Sequence, residues 1–426
     1  MHPLKLSSFA RLPGPLFRRA ARGAGPSRFG AWRALGAWAV VALVAGCGGG
    51  GGGDAAGSSA SGTVPSATAS AFTQGTITGL GSIIVNGVRF DETNASVSDD
   101  AGELRTASAL ALGMRVEVDS SAVDAGSATA HAAAVRYGSL VLGPVAAVDS
   151  AAGTLTVLGQ VVDVGSSTVF SDSLSAGISA VTVGALVEVH GLANTATGHI
   201  TATRVESATG ATAYKLRGSV AGLDTVAKTF SIGGATISYS GLTASAVPST
   251  LANGVLLRVT LSTAQRGGVW VAQSLGVKGG KPADRATAQV RGSITAFTSS
   301  ASFSVDGLAV DASSASFPDG SSGLALGVQV EVQGALRNGV LLATRVLLES
   351  RHQDDDSHAN QLIGAITALD ATAKTFVVRG VTVSYGDATT YVNGSLADLA
   401  VGRKVHVAGA VGNRRNQVQA RVVIFD

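Results

Sequence analysis

One short pattern, Gly-x-x-[Val/Leu]-x-Val, recurs five times and limits what this chain can fold into. It reads GMRVEV at Gly113, GALVEV at Gly184, GVLLRV at Gly254, GVQVEV at Gly327 and GRKVHV at Gly402. A strand-opening glycine precedes each copy, at Gly75, Gly143, Gly218, Gly292 and Gly364. An Ala-x-x-[Val/Leu] closer follows each, at Ala132, Ala202, Ala272, Ala343 and Ala420. Three markers kept in one order at a period of roughly 70–75 residues identify a single structural unit copied in tandem.

Within a unit the apolar period is two. The fifth copy runs LIGAITALD, KTFVVRG, VTVSYGDATTYV, SLADLAVG, RKVHVAGAV and NQVQARVVIF. Alternating Val, Ile, Phe and Thr between Gly, Asn and Asp reads as strands joined by tight turns. VNGVRF and VRGVTV have the form of two-residue hairpin connections. SLADLAVG does not alternate, and Leu396 and Leu399 stand three apart, which suits one helical turn. The expected fold is therefore all-β: five tandem small OB-like β-barrels, each with a short helical turn between the third and fourth strands. Barrel closure removes the free edges that such Val- and Thr-rich strands would otherwise expose. A unit of this length is marginal alone, so neighbouring barrels are expected to pack or share strands. A continuous β-solenoid is the rival reading.

The expected organisation is a signal peptide at 1–46, a tether at 47–73, and repeats at 74–138, 139–210, 211–280 and 281–350. A linker at 351–360 and a fifth repeat at 361–426 complete it. The leader holds seven basic residues and no acidic one, followed by an apolar run from Ala34 to Gly46. That run is too short to span a bilayer, which takes roughly 20 helical residues, but suits a signal-peptide core. Val44-Ala45-Gly46-Cys47 resembles the lipobox of bacterial lipoproteins. The resemblance implies that Cys47, the only cysteine, is the lipid-attachment residue and the new N-terminus. Gly48 after it implies outer-membrane sorting with the folded part in the periplasm. From Gly48 to Thr73 the chain is Gly, Ala, Ser and Thr with almost no apolar residue, a composition that stays flexible.

Without the leader, 24 basic residues face 28 acidic ones, a net charge of −4. This mildly acidic balance, with its charges scattered, speaks against nucleic acid, whose phosphates require clustered Lys and Arg. Trp270 and the five tyrosines form no stacking row of the kind single-stranded nucleic acid needs.

No nucleophile elbow occurs, and GVKGGKP at Gly276 lacks the spacing and the Ser or Thr of a phosphate loop. The position after the fourth-strand Val or Leu holds Glu117, Glu188, Arg258, Glu331 and His406. Its charge changes sign between copies and it alternates away from the barrel interior, so it reads as a solvated outer face, as does His190. The one dense polar cluster is RHQDDDSH, where His352 and His358 flank Asp354, Asp355 and Asp356. Imidazole and carboxylate can ligate Zn, Ni or Mn, which makes these five residues the candidate metal ligands; a solvated acidic linker is the competing reading.

The opening glycine strands, the LALGVQVEVQG block at Leu324–Gly334 and the ATRV closers at Ala202 and Ala343 resemble a known family. Its members are tandem OB-like β-barrel repeats of unknown function in lipoproteins of Gram-negative bacteria. The third copy departs most, with Leu257-Arg258 in its fourth strand and an extended AQRGGVWVAQ hairpin. The resemblance supplies a fold and a location but no catalytic residue. The expected protein is a lipid-anchored, non-catalytic envelope protein with no cofactor, whose barrels bind or space. Its expected partners are the membrane, through the lipid, and an envelope protein or small ligand. The alternative is a periplasmic lipoprotein that binds a small ligand or a metal.

Overall fold

Each marker glycine occupies a conformation that side chains avoid. φ is +83° at Gly113, +88° at Gly184, +85° at Gly254, +79° at Gly327 and +88° at Gly402. In all five copies the glycine N–H donates to a first-strand carbonyl, at 2.9 Å to Ile77 and 2.8 Å to Val145, Val220, Ile294 and Ile366. The same first-strand residue donates back to the carbonyl that follows the glycine. This exchange clamps the start of the fourth strand onto the first and closes the sheet. Gly402 has open space where a Cβ would stand, so Gly402→Ala tests the backbone alone. We expect it to cost about 1–2 kcal/mol, measured as a fall in the urea midpoint.

The computed structural model describes residues 70–277, 282–349, 360–411 and 417–426. The first barrel consists of strands Ala71–Leu80, Ile83–Val85, Val88–Asp91, Arg115–Ser120 and Thr129–Tyr137. The first strand pairs antiparallel with the second, and the second with the third. The third runs parallel to the fifth, the fifth antiparallel to the fourth, and the fourth back onto the first. This 1-2-3-5-4-1 closure is that of an OB-like barrel. The same cycle recurs over 141–207, 214–277, 285–348 and 360–425. The hairpin turns Asn86-Gly87 and Arg379-Gly380 have positive φ at both residues, as a two-residue connection requires.

Two bulges recur in every barrel and bend the sheet, one in the first strand and one where the fourth meets the fifth. In the fourth copy they lie at Ile294/Ala296 and Gln333/Gly334. Between the third and fourth strands, 3₁₀ turns form at Ala107–Ala109, Asp172–Leu174, Gly177–Ala180, Ala244–Ala246 and Leu396–Asp398. The fourth copy departs from the expected helical turn: residues 312–328 carry only turns and a bridge from Ser316 to Arg345. Pro318 and three glycines in that stretch, Gly320, Gly323 and Gly327, with Ser-rich surroundings, give little helical preference.

The barrels do not pack in chain order. Ala71–Gln74 runs parallel to Thr287–Val290 of the fourth barrel, and Gly79-Leu80 pairs with Gln361-Leu362 of the fifth. The second and third barrels join through their own first strands, Val141-Leu142 against Lys215-Leu216. The buried cores follow these pairings. First- and fifth-barrel residues share one cluster, and second- and third-barrel residues another. The fourth barrel's cluster includes Phe72, which is 1% exposed. The strand thus opens at Ala71, within the stretch expected to be tether, and Phe72 is a core residue.

Candidate functional site

The outward positions of the strands meet where these barrels converge. Four of them, the first to the fourth, enclose a cavity of about 690 Å³. Asp306, in the two-residue turn Asp306-Gly307 with φ of +48°, lies on its lining. The Asp306 carboxylate accepts hydrogen bonds from Gln74 Nε2, Arg115 Nη2 and the Ser293 N–H. Its backbone carbonyl accepts one from Arg217 Nη2 at 3.2 Å. One turn residue therefore ties side chains of the first and third barrels to the fourth.

Asp119 is held from two sides, by Arg285 Nη2 at 2.7 Å and Arg136 Nη2 at 2.8 Å. Asp100 accepts from Lys215 Nζ at 3.0 Å, and Arg258 stands 3.7 Å away on its other oxygen. Asp99 is buried, which raises its pKa. The Arg105 guanidinium and the backbone N–H groups of Glu103 and Ala101 outweigh that and hold the carboxyl below its usual range. Each of these carboxylates thus has an arginine or lysine as its partner.

Below the cavity, where the first and second barrels meet, lies a second ionic group. His190 is 1% exposed. Its Nδ1 is 3.1 Å from the carbonyl of Gly138, which can only accept, so Nδ1 donates there. Its Nε2 is 3.5 Å from Glu206 Oε1. Arg204 Nε donates to the same oxygen at 2.7 Å, and its Nη1 donates across the junction to Leu112 O at 3.1 Å. Burial raises the Glu206 pKa, but the His190 hydrogen bond and the Arg204 charge overcome it and bring the carboxyl to about 2.

The expectation of a solvated outer face for His190 is therefore wrong, because its outward side is covered by the first barrel. Glu117 and Arg258 do face away from their own barrel interiors, but they line the cavity rather than open solvent. Cys47 and the candidate metal ligands His352, Asp354, Asp355, Asp356 and His358 lie outside the described residues. Among the described residues no group of three or more His, Cys, Asp or Glu is arranged to hold a metal. The aromatic rings serve mainly as core: Phe90, Phe170, Phe230, Phe376 and Phe425 are fully buried, and Tyr214 meets Trp270 edge-on at 5.8 Å.

Reading one copy at a time missed Asp306, Arg217, Arg115, Arg285 and Asp119. Each lies at an outward or turn position that looks solvated until four copies are brought together. The only local signal was the arginine before the opening glycine, at Arg217 and Arg291, where the other copies hold Gln74, Leu142 and Ile363.

No curated protein matches this chain. Among solved structures it is similar to one from Drosophila titled "drosophila Unr CSD456", at 15% identity and a TM-score of 0.14, covering 51% of this chain and 98% of that one. A family model described as "Domain of unknown function (DUF5666)" matches residues 74–132, 143–206, 291–346 and 363–423. The third barrel, the most divergent in its markers, lies between the matched spans, yet it closes through the same strand order. With four tandem matches over more than half of its length, the chain belongs to the DUF5666 domain family.

Proposed function

We propose that this chain is a lipid-anchored protein of the Gram-negative cell envelope whose barrel cluster binds a small ligand without transforming it. The observation that carries the binding half is the cavity of about 690 Å³ built by four barrels. Its size is that of small-molecule sites, which run to roughly 300–1,000 Å³. The packing favours a binder over a spacer. A spacer gains from barrels set end to end, whereas here the first barrel pairs with both the fourth and the fifth. The carboxylates fit the non-catalytic reading, since Asp119 and Asp306 are each tied to arginine.

The anchoring half rests on the leader, the Val44–Cys47 motif and the glycine-rich segment after it. Residues 1–46 act as the signal peptide, Cys47 takes the lipid, and the barrels stand in the periplasm at the outer membrane. Two acyl chains hold such a protein stably, at about 0.8 kcal/mol for each buried methylene. Cys47→Ser is expected to move the protein from the membrane to the soluble fraction; unchanged fractionation overturns the anchor. Native mass spectrometry of the full chain, purified in mild detergent, tests the binding half. A stoichiometric small molecule supports it, and a bare polypeptide from every growth condition overturns it.

A further inference from the structure

We infer that the inter-barrel cavity takes a small anionic ligand, bearing a carboxylate or phosphate group, and that Arg217 of the third barrel grips that group. The inference rests on the binding reading above and names the chemical class of what is bound. It begins from the charges. Asp99, Asp100, Glu117, Asp119 and Asp306 line the cavity. Against these five stand Arg115, Arg136, Arg217, Arg258 and Arg285 on the lining, together with Arg105 and Lys215, which pair with Asp99 and Asp100. On the lining itself five arginines meet five carboxylates; with Asp99 and Asp100 matched from outside it by Arg105 and Lys215, three carboxylates are left for the five lining arginines.

The excess is localised. Arg115 is committed to Asp306, Arg136 and Arg285 to Asp119, Arg105 to Asp99 and Lys215 to Asp100. Arg258 has only a 3.7 Å approach to an Asp100 already held by Lys215. Arg217 forms no ion pair with a described carboxylate, and its one side-chain hydrogen bond goes to the Asp306 carbonyl. A guanidinium has five N–H donors in a planar fork, so most of its donors lack a protein acceptor.

Arg217 lies deep in the protein yet keeps part of its surface open, because that surface borders the cavity. Burial pushes its guanidinium down from its ordinary value, with Asp306 and Glu117 pulling the other way. Neither carboxylate forms a direct ion pair with it, and a desolvated cation whose counter-charges are not in contact is held less well than a paired one. A bidentate carboxylate or phosphate supplies both the missing charge and the missing acceptors. The third barrel, the most diverged in sequence, provides both surplus cations, Arg217 and Arg258.

The test uses the full chain in non-ionic detergent, titrated with inorganic phosphate, succinate and, as a neutral control, glycerol. At saturation, phosphate or succinate is expected to raise Tm by about 3–5 °C, an effect that shrinks as sodium chloride rises, while glycerol at the same concentration does not. Arg217→Met is expected to weaken anion binding at least tenfold. Its ligand-free Tm should equal or exceed that of the parent, because an unpaired buried charge has been removed. A fall of several degrees in that Tm would make Arg217 structural and overturn the inference. Arg258→Gln, also on the cavity lining, gives a second reading and should weaken anion binding several-fold. If neither anion shifts Tm while native mass spectrometry finds a neutral molecule, the binding reading survives and the anionic class is wrong. If both anions bind Arg217→Met as well as the parent, the assigned grip is wrong.

Discussion

Phe72→Ala is expected to lower stability by about 3–5 kcal/mol, the range for deleting a fully buried phenylalanine side chain. The loss should be felt in the fourth barrel rather than in the first. Phe72 belongs by sequence to the first barrel's opening strand, and that strand's Ile77 sits in the first barrel's core. Five residues earlier, Phe72 belongs to the fourth barrel's buried cluster, with Val290, Ile294, Val330 and Leu341. Its backbone is fixed on both sides, antiparallel to Arg115–Ser120 and parallel to Thr287–Val290. Such a site cannot collapse easily around a cavity, which places the cost at the upper end. Amide exchange should rise across 285–348 in Phe72→Ala and across 71–137 in the matched variant Phe90→Ala, whose ring is buried in the first barrel's cluster. A cost below about 1 kcal/mol, or faster exchange confined to the first barrel, would show that the strand does not complete the fourth. By the same reasoning a fragment starting at Gln74 should melt below one starting at Ser70, because it lacks Phe72 and most of the parallel ladder.

Phe72 also marks where sequence reading stops. It ends a run of Gly, Ala, Ser and Thr, and a single aromatic there gives no periodicity to place it in a core. What makes it a core residue is a strand about 215 residues further along the chain. The closed barrels, by contrast, were legible because their determinants are local. A glycine with positive φ before the fourth strand, alternating apolar residues, and two-residue turns such as Asn86-Gly87 each act within one unit. The cavity depends on contacts of another kind. Arg115 and Asp306 are 191 residues apart, and Gln74 and Asp306 are 232 apart. Alternation correctly sent Glu117 and Arg258 out of their own barrels, but it carries no information on whether water or another copy lies outside. The fourth copy's missing helical turn was obscured for the opposite reason, because a repeat pattern predicts the average unit and not a Pro- and Ser-rich variant of it.

The junction of the first and second barrels gives the second large effect, and it depends on pH. Glu206 has its carboxyl held at about 2, against an ordinary value of 4.5. A carboxyl whose folded pKa is depressed contributes stability that is fully present above its unfolded pKa and is lost as pH falls through the folded one. The window therefore runs from about pH 4.5 down to about pH 2, and a shift of this size corresponds to about 3 kcal/mol. Glu206→Gln is expected to lower stability by that amount at pH 7, since it leaves Arg204, which is 8% exposed, without its carboxylate. The difference from the parent should shrink steadily below pH 4.5 and be largely lost by pH 2, where Glu206 is protonated in the unfolded chain and about half protonated in the folded one. A difference that stayed constant with pH would mean that the side chain acts through packing alone. The consequence also reaches across the junction, because Arg204 donates to Leu112 O and His190 to Gly138 O. Once Glu206 is neutral, both donors lose the charge that orients them, so amides flanking Leu112 and Gly138 should exchange faster in Glu206→Gln at pH 7. The parent should show the same loosening in acid.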